Sequence, residues 1–88
     1  MSWDRVEEDG VEKLRRAFRF RDFAEALRFA NRVGELAEAE NHHPELLVEW
    51  GRVTVTWWTH VTRGVTERDV ALAAKTDALA GFPQAPAV

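Results

Sequence analysis

Hydrophobic positions in this chain change their spacing several times, and each change marks an element. From Val11 to Phe20, Leu14, Phe18 and Phe20 fall on one side with Arg16, while Lys13, Arg15 and Arg19 fall on the other. That period of two predicts a half-buried strand. Ahead of it, Ser2 to Glu7 carries Trp3 and Val6 in an extended-looking run, and Asp9-Gly10 is a hairpin signal. Beyond Asp22 the spacing lengthens. Phe23, Ala26, Leu27, Ala30, Val33, Gly34 and Ala37 recur at threes and fours, with Phe29 and Leu36 widening the stripe, which predicts an amphipathic helix. Asp22 stands at the N-cap with Glu25 three residues on, the pattern of a capping box. Gly34 costs such a helix up to ~1 kcal/mol relative to Ala. Close approach of the helix to a sheet would account for it.

The helix has to end in Glu38-Ala39-Glu40-Asn41-His42-His43-Pro44, because Pro44 has no N–H and drives His43 into extended geometry. Glu38 and Glu40 near that end oppose the helix dipole. Leu46 to Trp50 and Val53 to Thr62 then read as a second hairpin about Gly51-Arg52, with Trp50 packed at the hairpin. On the longer strand Val53, Val55, Trp57 and Val61 face the core, and Thr54, Thr56, Trp58, His60 and Thr62 face away, so Trp58 and His60 are neighbours. Gly64 breaks the strand and Thr66 with Asp69 forms another capping box. Val70, Ala73, Ala74 and Leu79 mark a second helix, stopped by Gly81 and Pro83. The order β-β-α-β-β-α predicts an α+β two-layer sandwich, with both helices on one side of a four-stranded antiparallel sheet. Residues 1–81 are expected to form a single domain and 82–88 a flexible tail.

Composition narrows the function. No cysteine is present, so disulfides, thiolate nucleophiles and cysteine-ligated zinc are excluded. A net charge of −3 argues against nucleic acid as a partner, with the Lys13, Arg15 and Arg19 side left as a local exception. No secretory leader or membrane-length apolar run is recognised, so a cytoplasmic protein is expected. No phosphate-binding glycine loop or nucleophile elbow occurs either.

What remains is imidazole. The chain has three histidines, His42, His43 and His60, expected in one neighbourhood. Imidazole gives or takes protons near neutrality, so two working rings can act as acid and base without metal or cofactor. Duller roles compete: the adjacent pair at a helix end could cap carbonyls, and His60 alone could be a surface residue. A three-histidine zinc site is disfavoured, because the usual ligand spacings are missing and successive extended side chains diverge. Trp58 could face a partner subunit or wall a flat ligand, and Asp69 is accounted for by capping.

Glu38, His42, His43, Pro44, Trp50, His60 and Asp69 together resemble the signature of the pterin-4a-carbinolamine dehydratases, also known as dimerisation cofactors of a homeodomain transcription factor. The likeness extends from Trp3 through Phe18-Arg19-Phe20-Arg21-Asp22-Phe23 to Thr66-Glu67-Arg68-Asp69; the family's usual leading helix has no counterpart ahead of Trp3. The resemblance implies the same sandwich, and dehydration of 4a-hydroxytetrahydropterin to quinonoid dihydropterin after an aromatic amino acid hydroxylase has acted. It implies His43 and His60 as the acid and base pair, and His42 as catalytic and pterin-orienting. Substrate contacts are expected from Glu38, His42, Pro44, Trp58 and Asp69, with no metal and no cofactor. A homodimer or homotetramer is expected. The alternative is a non-catalytic protein-binding or assembly module on the same fold.

Overall fold

The computed structural model describes residues 2–81; the expected tail 82–88, with Pro83, lies outside the described residues. Six elements follow in order: β1 (Asp4–Glu8), β2 (Val11–Arg19), α1 (Phe23–Glu40), β3 (Glu45–Glu49), β4 (Arg52–Trp57) and α2 (Glu67–Leu79). The strands form one antiparallel sheet in the order β1-β2-β4-β3. Both hairpin turns use left-handed backbone. Asp9 and Gly10 have φ of 52° and 77°, the pattern of a type I′ turn. Gly51 has φ 70°, and a Cβ there would stand 3.0 Å from the Phe20 carbonyl oxygen.

Alternation on the two central strands sends Leu14 and Phe18 from β2, and Val53, Val55 and Trp57 from β4, into the core beneath both helices. Arg16 shares that side of β2 because its guanidinium reaches the core's edge. It donates to Asp77 of α2 at 2.7 Å and lies over the Phe18 ring. Trp3 donates its indole N–H to the same carboxylate, which fixes β1 against α2. Deeper in, the Trp57 N–H donates to Thr76 Oγ1 at 3.0 Å, and Thr76 passes its own proton to the Leu72 carbonyl.

The helices bury narrower stripes than their periodicity predicts. On α1, Ala26, Phe29, Ala30, Val33 and Ala37 are buried, whereas Phe23 and Leu27 are exposed, lying to one side of the line that touches the sheet. On α2 the buried set is Asp69, Leu72, Ala73 and Thr76, and Val70 stays outside. Only half of the first capping box forms: Asp22 accepts from the Glu25 N–H at 2.9 Å, but the Glu25 carboxylate turns to Arg21. Gly34 does not mark close packing, since a Cβ there meets nothing within 4 Å.

Strand β4 ends at Trp57, not at Thr62, because Thr59 is captured from another direction. Its backbone pairs with Gly64 in an isolated bridge that closes a loop, and its hydroxyl turns to Asp69. Val61, expected in the core, is 92% exposed on that loop. Trp50 is likewise exposed at the turn. No helix among the described residues is long and apolar enough to cross a membrane.

The two glycines give opposite predictions in urea unfolding. Gly34→Ala should stabilise the fold by up to ~1 kcal/mol through helix propensity. Gly51→Ala should destabilise it by about 1–2 kcal/mol, because a Cβ is strained at positive φ.

Candidate active site

The site grows from the end of α1. Asn41 adopts the left-handed conformation, φ 51° and ψ 46°. Its N–H reaches the Glu38 carbonyl, and the His42 N–H reaches back to the Ala37 carbonyl at 3.1 Å. This is the Schellman pattern, and both His42 and Ala37 are buried. The acidic helix end, unfavourable to the dipole, is offset from α2: Lys75 pairs with the Glu40 carboxylate and Arg68 donates to the Glu40 carbonyl. The Ala37 and Glu38 carbonyls are therefore satisfied by backbone N–H groups and that of Glu40 by an arginine, and both imidazoles pair with carboxylates instead. Pro44 then leads directly into β3, which starts at Glu45.

Each imidazole is held differently. His42 is buried, stacked on Trp57 with ring centroids 5.9 Å apart, and its Nε2 lies 2.7 Å from Asp69 Oδ1. With Nε2 committed, Nδ1 is the ring nitrogen left for a ligand. His43 stands half in solvent with Nε2 2.6 Å from Glu38 Oε2, one helical turn back. The His60 ring has no hydrogen bond among the described residues. It rests against Trp58, centroids 4.7 Å apart, at the start of the loop closed by Thr59 and Gly64.

These rings meet across one open cleft of about 190 Å³, lined by Asn41, His42, His43, Thr59, His60 and Val61. The sequence-predicted imidazoles thus converge. Glu38 joins them through His43, and Asp69 lies underneath, fully buried. Its Oδ1 faces His42, and its Oδ2 accepts from Thr59 Oγ1 at 2.7 Å and from the Thr66 N–H at 2.8 Å. Trp58 backs His60, and neither it nor half-buried Pro44 lines the cleft. Sequence reasoning did not single out Asn41 or Thr59. An Asn directly after a helical stripe is a signal for the first, whereas nothing local marks Thr59. No trio of His, Asp or Glu among the described residues is arranged to hold a metal ion.

A larger hollow of about 370 Å³ opens on the helix-free side of the sheet, by Arg15, Glu45 and Leu47. Its chemistry is already spent: Arg15 binds Glu8 and Thr56 and lies 3.8 Å from Glu45. Hydrogen bonds from Lys13 first and Arg15 second hold the Glu8 carboxyl below the ordinary carboxylate range. The expected basic strip is therefore partly neutralised by acids of the same sheet.

Residues 1–79 match the family described as Pterin 4 alpha carbinolamine dehydratase. A protein of Syntrophotalea carbinolica, provisionally named pterin-4-alpha-carbinolamine dehydratase, is 57% identical over 77 residues, covering 88% of this chain and 69% of that one. A relative from Chlorobium limicola with the same provisional name is 58% identical over 77 residues, covering 88% and 68%. Among solved structures, a transcriptional coactivator/pterin dehydratase from Brucella melitensis superposes with a TM-score of 0.81 at 42% identity, covering 91% of this chain and 83% of that one. A pterin dehydratase-like protein identified as a RuBisCO assembly factor in the α-carboxysome gives 0.77 at 27% identity, covering 92% of each.

Asp69→Ala should destabilise the protein by about 3–5 kcal/mol, since it strands His42, Thr59 and the first turn of α2 together. Denaturant unfolding measures it; a change under about 1 kcal/mol would contradict the buried network.

Proposed function

The chain belongs to the pterin 4 alpha carbinolamine dehydratase family, and from that premise we propose that it is a cofactor-independent lyase acting on a 4a-hydroxytetrahydropterin. The observation that carries this reading is the convergence of all three imidazoles on one cleft. Dehydration needs a proton delivered to the 4a-hydroxyl as its C–O bond breaks. Electrons from the adjacent ring N–H side replace that bond, and a base takes the nitrogen's proton. His43 and His60 fill these two roles, and the cleft between them is open to a flat ring. His42, with Nε2 held by Asp69, orients the pterin through its remaining nitrogen. Glu38 sets the His43 ring through the 2.6 Å hydrogen bond at Nε2, much as a carboxylate orients the histidine of a hydrolytic triad. Pro44 acts through the backbone, holding His43 in extended geometry, and Asp69 acts through His42.

The product is a quinonoid dihydropterin, which places the protein in tetrahydropterin recycling, downstream of an aromatic amino acid hydroxylase in the cytoplasm. Exposed Phe23 and Leu27 on α1 and Leu47 on edge strand β3 support a homodimer or homotetramer. Those surfaces, with the assembly factor among the structural neighbours, also favour a second reading, a non-catalytic assembly or coactivator module.

Stopped-flow dehydration of chemically generated 4a-hydroxytetrahydropterin should run well above the buffer rate. His43→Ala and His60→Ala should each lower it by about 10²-fold or more while unfolding at the wild-type urea concentration. A wild-type rate equal to buffer removes the lyase reading and leaves the assembly module. In cells lacking pterin recycling, rescue by wild type but not by His43→Ala supports catalysis; equal rescue by both supports the module.

A further inference from the structure

Two imidazoles of the cleft have a carboxylate to fix them, and the third has none. The His60 ring stands on an exposed loop with no hydrogen bond among the described residues. A general acid or base has to be held within hydrogen-bond reach of its proton, and misplacement by about 1 Å can cost ~10²-fold in rate. The contact that can hold this ring is Trp58, two residues back, at 4.7 Å between centroids and 34° between planes.

Trp58 is itself fixed from the neighbouring strand. The β2–β4 register pairs Leu14 with Trp57, so the next step sets Lys13 beside Trp58. Lys13 places Nζ 4.1 Å from the indole centroid and donates to Glu8 of β1 at 3.1 Å. A cation over an indole face is attracted by the ring quadrupole, and the Glu8 carboxylate keeps that cation in place. A line of contacts therefore runs Glu8, Lys13, Trp58, His60, from the edge strand across the helix-free side of the sheet to the cleft.

We propose that Trp58, clamped by Lys13 and Glu8, is the positioning residue for His60, doing with an aromatic face what Asp69 does for His42 and Glu38 for His43. The proposal rests on the lyase reading above. It differs from a role for Trp58 as a wall against the substrate, because Trp58 is outside the cleft lining. It also gives the helix-free side of the sheet a part in the chemistry.

The experiment compares Trp58→Leu, which keeps bulk without a ring, with Trp58→Phe, which keeps a ring. Trp58→Leu should lower kcat for dehydration by about 10-fold or more and leave KM within about twofold. In proton–carbon correlation spectra the His60 ring signals should lose their displacement by the indole ring current, while those of His42 and His43 stay in place. Trp58→Phe should retain most of the kcat and of the His60 displacement. An unchanged kcat in Trp58→Leu overturns the proposal, as do unmoved His60 signals. A loss confined to KM also overturns it, by making Trp58 a substrate contact. If the wild-type protein has no dehydration rate, the lyase reading fails separately and the spectra alone decide: displaced His60 signals support the ring contact, unmoved ones overturn it.

Discussion

A single buried carboxylate holds this molecule's function-bearing parts in register. Asp69 is fully buried, and both of its oxygens are occupied by groups from three separate segments. Its capping contact starts α2, its bond to Thr59 turns the chain out of β4, and its bond to His42 ties down the end of α1. An unpartnered carboxylate in that position would be costly, so the segments must arrive together. The cleft exists because they do. His42 and His60 are 18 positions apart in the chain, yet each lies within one residue of an atom bonded to Asp69.

The core and the cleft share a wall. Trp57 buries its indole among Leu72, Val33 and their neighbours, donates to Thr76, and presents a face to the His42 ring. The apolar burial that stabilises the sandwich thus also sets the depth at which His42 sits. On the helix-free side charge takes over: Glu8, Lys13, Arg15 and Glu45 neutralise one another across the strands, which leaves Trp58 covered by a cation instead of bare to water.

Much of this was legible in the sequence, for identifiable reasons. The six elements and their order follow from two clean periodicities and from Pro44, Gly51 and Thr66. The convergence of His42, His43 and His60 follows from the hairpin that returns β4 beside the end of α1. Less legible was everything decided by tertiary partners. Phe23, Leu27 and Val70 fit a helical stripe but miss the sheet, because a helix on a flat surface buries a narrower arc than its full apolar face. Val61 reads as strand by alternation, but the pull of Asp69 on Thr59 ends the alternation first. Gly34 looked like a packing glycine and faces open space. Asp69 itself was legible as a cap through its spacing from Thr66. That the same carboxylate reaches His42, 27 positions earlier, has no local signature.

The three imidazoles are mounted on supports of unequal stiffness. His42 is locked into the core, His43 is tethered to the last helical turn, and His60 rides a loop joined to the body by the paired backbone of Thr59 and Gly64. The outer corner of the cleft is thus the least firmly held, by one ring contact and one pair of backbone hydrogen bonds where His42 has a buried carboxylate. Under the lyase reading, dehydration would then be lost on heating before the secondary structure is, because the loop needs less to open than the core does.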